Sequence, residues 1–158
     1  MNKNILPICD FNFLIHQTRL ILSSYHHWMG KNLWPEDKPD DILTKEIFFA
    51  PFILCSSGKE TDPILNYGNQ KALELWEMDW DKFTHTPGRH TAEAAEREER
   101  AQFLETVQRQ SYIDNYSGIR ISASGRRFKI ERAIVWNLID AKGIYKGQAA
   151  TFSAWKWI

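Results

Sequence analysis

The sequence predicts an α+β fold: a five-stranded antiparallel sheet with short helices and one long helix on one face, and an N-terminal amphipathic helix on the other. Three observations carry this. Apolar residues near the start recur at helical spacing, and the last third of the chain reads as three strands joined by tight turns. The middle strand of those three has apolar residues on both faces, so the sheet needs a covering layer on each side. With 158 residues, 43% hydrophobic and 25% charged, the chain is long and apolar enough for one well-buried domain and too apolar for wholesale disorder.

The elements follow in order. Asp10 is a helix cap, and Phe11, Leu14, Ile21, Tyr25 and either Trp28 or Met29 then share one face as far as Gly30, opposite His16, Arg19, Ser23 and His26. The segment from Trp34 to Asp41, with two prolines, is a polar loop. Ile47–Leu54 reads as a buried strand with Pro51 at an edge or bulge, and Ile64–Tyr67 as a short second strand. Asn69 caps a helix over 70–78 with Ala72, Leu73 and Trp76 on one face, and a short turn follows from Asp79 to Phe83. Thr91 caps a long helix over 92–110, held by Glu–Arg pairs at four-residue spacing, with Ala94, Ala101, Leu104 and Val107 facing inward. Strands over 112–123, 126–140 and 146–157 complete a meander through the Ser124-Gly125 and Asp140–Gly143 turns. In the middle strand Phe128, Ile130, Ile134, Trp136 and Leu138 make the even positions one core face, interrupted by Arg132. This divides the chain into an N-terminal helix and linker, 1–45, that packs on the sheet, and a sheet-bearing domain, 46–158.

Charge and cysteine content narrow the function. Twenty basic and twenty acidic side chains cancel, which argues against coating nucleic acid or an anionic membrane. Cys9 and Cys55 form neither a disulfide framework nor a metal-type spacing. The opening Met1–Pro7 has no export-signal pattern, and the longest apolar run, Ile47–Cys55, is far short of the ~20 residues of a membrane span. The expectation is a soluble cytoplasmic protein. Seven Trp, five Tyr and nine Phe suit either a core or the walls of a ligand pocket.

The element order resembles the PAS fold, as do Asp62–Asn69 followed by Ala72-Leu73, and Asp140-x-x-Gly143 followed by Gly147. More specifically, Tyr67-Gly68-Asn69, Ala72–Leu75, Arg97–Arg100, Tyr116–Ile121, Gly125–Phe128, Val135–Asp140 and Gly147–Phe152 resemble the MEKHLA domain, a PAS-related family. That family is known as a stand-alone bacterial protein, the type expected here, and as the C-terminal part of plant homeodomain–leucine-zipper proteins. No homeodomain or zipper precedes the domain in this sequence, so a transcriptional role does not carry over. The resemblance implies a non-enzymatic sensory, ligand-binding or protein-interaction module, with a small molecule between sheet and helices. The N-terminal helix would mediate homodimerisation or docking to a partner protein.

Motifs for enzyme chemistry are missing: there is no Gly-x-Ser-x-Gly, phosphate-binding Gly loop, dinucleotide fingerprint or His-Glu-x-x-His. The histidines lack metal-ligand spacing. Haem and flavin are not expected, because Cys9 precedes the first helix, Cys55 ends the first strand and His90 sits in a turn; the cofactor question stays open. The ligand-binding candidates are Trp76, Trp80 and Trp136 converging on a central cavity, Leu104 facing it and Thr151, small enough to leave volume there. Arg132 interrupts the apolar face and so needs an anionic partner or a ligand. Arg89 and His90 precede the long helix, where free N–H groups favour an anion. The basic run Arg120, Arg126, Arg127 and Lys129 reads as solvent-facing. The alternative is a small cone-shaped isomerase or hydratase with an apolar pocket and Asp114 or Asp140 as general base.

Overall fold

A computed structural model describes residues 5–158; Met1–Asn4, part of the segment read as lacking an export signal, lie outside the described residues. The first helix, α1 (Phe11–Met29), starts where the Asp10 carboxylate accepts from Asn12 N at 2.9 Å and stops at Gly30, whose φ of 72° only glycine adopts freely. The end of the predicted loop, the residues after it and the start of the predicted first strand are instead a second helix, α2 (Asp40–Phe48), while 34–39 is loop as expected. Its logic is Pro39 just outside, Asp40 and Asp41 in the first turn, and Leu43, Thr44, Ile47 and Phe48 buried at three- and four-residue intervals. Strand β1 is therefore shorter than expected, Ile53–Ser57, and β2 follows at Leu65–Gly68.

Asn69 fastens this region together. Its Oδ1 accepts from Leu54 N and Ala72 N, both at 3.1 Å, and its Nδ2 donates to Phe52 O at 2.8 Å. It thereby caps α3 (Gln70–Trp76) and ties it to β1. Next come α4 (Trp80–Phe83) and a 3-10 turn, Gly88–Thr91. Thr91 does not cap the long helix; its hydroxyl donates to Gly88 O at 2.7 Å, and α5 (Ala94–Gln110) begins after Glu93 without a side-chain cap. Ala94 and Ala101 are exposed; the face of α5 turned to the sheet carries Arg100, Phe103, Leu104 and Val107.

Strands β3 (Tyr112–Ile121), β4 (Arg127–Ile139), β5 (Tyr145–Phe152) and β6 (Ala154–Trp157) complete an antiparallel sheet of order β2-β1-β5-β4-β3. The predicted last strand is broken at Ser153: β5 pairs with β1 and the second half of β4, and β6 pairs with the first half of β4. Six strands thus replace the expected five. The first strand lies centrally, beside β5. At Gly147, where φ is 131°, a Cβ would stand 2.0 Å from Ser57 O, so only glycine lets β5 approach β1 this closely.

Strand β4 also changes face halfway along. Phe128 and Ile130 point to the side of α3 and α5, but Arg132 has φ of 52° and sits in a bulge opposite Ser117. Beyond it Ala133 and Val135 point to that side, while Trp136 and Leu138 turn to the other. A compensating bulge at Asn115, φ 57°, keeps β3 in step. The even positions therefore do not form one continuous face. Helix α1 covers the side that Trp136 reaches: Trp136 Nε1 donates to Ile21 O at 3.3 Å, and Tyr25 meets the indole edge-on at 5.1 Å. Ser24 bonds both the N–H and the C=O of Ile139, at 2.9 and 3.2 Å. No helix among the described residues is long and apolar enough to cross a membrane.

Candidate functional site

Between α5 and the inner face of the sheet lies a cavity of about 80 Å³. Strand β1 contributes Cys55, β3 Tyr116 and Arg120, β4 Ile130, Ala133 and Val135, and β5 Ala150 and Phe152; Trp76 closes it from α3, and Arg100, Phe103 and Leu104 from α5. Trp76 is fixed by edge contacts to Phe83, Phe128 and Phe152, with ring centroids 5.4 to 6.2 Å away. Its indole N–H is buried and has no hydrogen-bond partner among the described residues. Phe103 stacks flat on Tyr116 at 3.6 Å.

The polar content of this chamber is one-sided. Arg120 is only 6% exposed, donating to Ile119 O at 2.9 Å and to Tyr116 Oη at 3.1 Å. The Tyr116 hydroxyl in turn donates to Glu99 Oε2 at 3.2 Å, so the acidic group reaches Arg120 only through the phenol. Among the described residues, no carboxylate lies within ion-pair distance of Arg100 or Arg120, and Arg100 makes no hydrogen bond. Burial, and then the neighbouring Arg120 charge, bring the Arg100 guanidinium down to about 10. Cys55 is pushed up to about 11, because burial outweighs the two guanidinium charges near it. Glycines make room for these groups: a Cβ on Gly118 would stand 2.9 Å from Arg120 Nη1, and one on Gly88 2.6 Å from Arg100 Nη2.

Of the residues singled out from sequence, Trp76 and Leu104 line this cavity. Others do not. Trp136 lies on the α1 side of the sheet, and Thr151, paired with Leu54 and Ile134, faces that side too, donating to Ile53 O at 2.8 Å. Trp80 packs against Phe48 and Tyr67 at the far end of the sheet. Arg132, expected to be buried, has a side chain 68% exposed at the bulge, 3.6 Å from Glu131. Arg89 grips Asp62 with Nε at 3.1 Å and Nη2 at 3.0 Å, and His90 Nε2 rests on Arg89 Nη1, so both are occupied in an exposed turn. Cys55 sits mid-strand and not at its end.

Arg120, read as solvent-facing, is inside, and Arg100 was not singled out. A signal existed for Arg100: it shares a helical stripe with Phe103, Leu104 and Val107. Asp140 is taken up in its turn, accepting from Lys142 N at 2.8 Å and Ile144 N at 2.9 Å, contacts that lower its pKa where a general base needs it raised. Asp114 is exposed on β3, and among the described residues no carboxylate lines the cavity. The one thiol lining the chamber, Cys55, lies on the sheet rather than on the helical side.

The strand order and the helices packed on the sheet's inner face define a PAS-like fold, and solved structures agree. A PAS domain from Colwellia psychrerythraea superposes with a TM-score of 0.62 at 11% identity, covering 75% of this chain and 95% of that one. An RNA-binding light-oxygen-voltage receptor gives 0.64 at 15% identity, over 77% of this chain and 34% of that one. The light-state dimer of the fungal blue-light photoreceptor Vivid gives 0.59 at 12%, over 83% and 89%. Residues 15–157 match the MEKHLA domain, and the chain belongs to that family. It is 26% identical over 145 residues to the Homeobox-leucine zipper protein ATHB-9 of Arabidopsis thaliana, covering 89% of this chain but 17% of that protein's length.

Proposed function

We propose that the protein is a non-enzymatic sensory module of the cytoplasm: a small molecule occupies the chamber under α5, and α1 conveys its presence to a second copy or a partner protein. The observation that carries this reading is the donor-rich cavity itself, walled by Cys55, Trp76, Arg100, Tyr116 and Arg120 and lacking any carboxylate among the described residues. Strand β4 supports the second half. It presents Ala133 and Val135 to the chamber and Trp136 and Leu138 to the other side, where Trp136 bonds α1, so a change in the chamber is one residue away from the helix. The inner face of α1 is spent on its own sheet, which leaves the outer face, with Asn12, Phe13, His16 and Ser23, for a partner.

Native mass spectrometry of the chain purified from a native-like host, with an absorption spectrum of the same sample, tests this. The wild-type protein is expected to carry a bound species that Ala150→Phe, which fills the cavity, expels without loss of fold. Absence of any adduct, or an adduct indifferent to Ala150→Phe, contradicts the reading.

A further inference from the structure

We propose that the chamber is a site for a small oxyanion, a carboxylate or a phosphate group, held jointly by Arg100 and Arg120. This rests on the chamber being a ligand site. Withdrawing a guanidinium from water without a counter-charge is costly, and here a buried Arg120 and a half-buried Arg100 share one enclosure and repel each other as well. Proteins offset this with carboxylates, yet among the described residues neither arginine has one within ion-pair distance: Asp62 acts on Arg100 only from farther away, and Glu99 reaches Arg120 only through the Tyr116 phenol. An entering oxyanion supplies the missing charge. Guanidinium forks match the paired oxygens of carboxylate and phosphate, and Arg100 has its whole fork free of hydrogen bonds among the described residues.

Two further observations agree. The Trp76 N–H, on a side chain 4% exposed that lines the same cavity, is a buried donor without an acceptor among the described residues. The cavity volume of about 80 Å³ takes a group of several heavy atoms, since one water needs roughly 10–15 Å³ on the same measure. Its walls otherwise offer rings and methyls, so the remainder of the guest is small and apolar.

Calorimetric titration with inorganic phosphate, and separately with acetate, at constant ionic strength tests the inference. Saturable binding of either is expected, and which of the two binds distinguishes phosphate from carboxylate chemistry. Arg100→Met keeps the packing volume, and Arg120→Lys keeps a charge while losing the fork. Each should weaken binding tenfold or more, since charge-assisted bonds are the strong ones. Without added anion, Arg100→Met should also melt a few degrees above the wild type, because an unpaired charge has been removed. No saturable binding of either anion, or unchanged affinity in both variants, overturns the proposal. If native mass spectrometry then still finds a neutral guest expelled by Ala150→Phe, the chamber reading stands while the oxyanion falls; if it finds none, both fall.

Discussion

Cys55 stands in β1 near two guanidinium groups, surroundings that ordinarily make a thiol acidic. Burial outweighs them, and the thiol is held up to about 11 from an ordinary 9.0. At neutral pH it is therefore a protonated, poorly nucleophilic wall of the cavity. The consequence for stability has a definite sign. As pH rises past 9 the unfolded chain releases this proton while the folded chain keeps it until about 11, so stability is full below pH 9 and falls across that window. Urea unfolding at pH 8 and pH 10.5 should give the wild type a loss larger than that of Cys55→Ala by about 1–2 kcal/mol. Equal losses in the two proteins would mean that the thiol is not buried as described.

At the scale of the element, the bulge in β4 decides which side chains meet the chamber under α5. A slip of one residue exchanges the faces of a strand, and the inserted Arg132 makes that exchange between Ile130 and Ala133. Holding a non-glycine residue at φ of 52° costs about 1–2 kcal/mol. Arg132→Gly should therefore stabilise the fold, since the exposed contact with Glu131 is worth little, and Arg132→Val should destabilise it by about 1–2 kcal/mol. Denaturation midpoints in the order Gly, Arg, Val support the bulge; a valine variant as stable as the wild type contradicts it. The same bulge limits what the sequence discloses. Apolar residues lie on both faces of β4, so the even series from Phe128 to Leu138 looks unbroken, and nothing local announces the positive φ. Arg120 was equally hidden, because its burial is decided by packing against Tyr116 and α5 and not by its basic neighbours. Helix α2 was missed because the run Ile47–Leu54 suits a strand as well as a helix end. Most caps and turns are legible, Thr91 being the exception: Asp10, Gly30, Asn69 and the Asp140–Gly143 turn all act locally, and their chemistry is written in adjacent residues.

For the whole molecule, the sheet is a partition between two different environments. One side holds α1, joined through Ser24, Trp28 and the Trp136 indole to β4. The other holds a chamber whose charge is unbalanced. The sequence identifies the layers and the family, because element order and local motifs survive without knowledge of packing. The arginines it singles out, Arg89 and Arg132, look free until Asp62 and the bulge are seen. The most direct measurement is a nuclear magnetic resonance titration of the intact, arginine-labelled chain with inorganic phosphate and with acetate at constant ionic strength, following the side-chain Nε–H signals. The Arg100 and Arg120 signals should move together and saturate at one concentration while those of Arg89 and Arg132 stay still. Movement at Arg89 or Arg132 alone, or at none of the four, would contradict a binding chamber beneath α5.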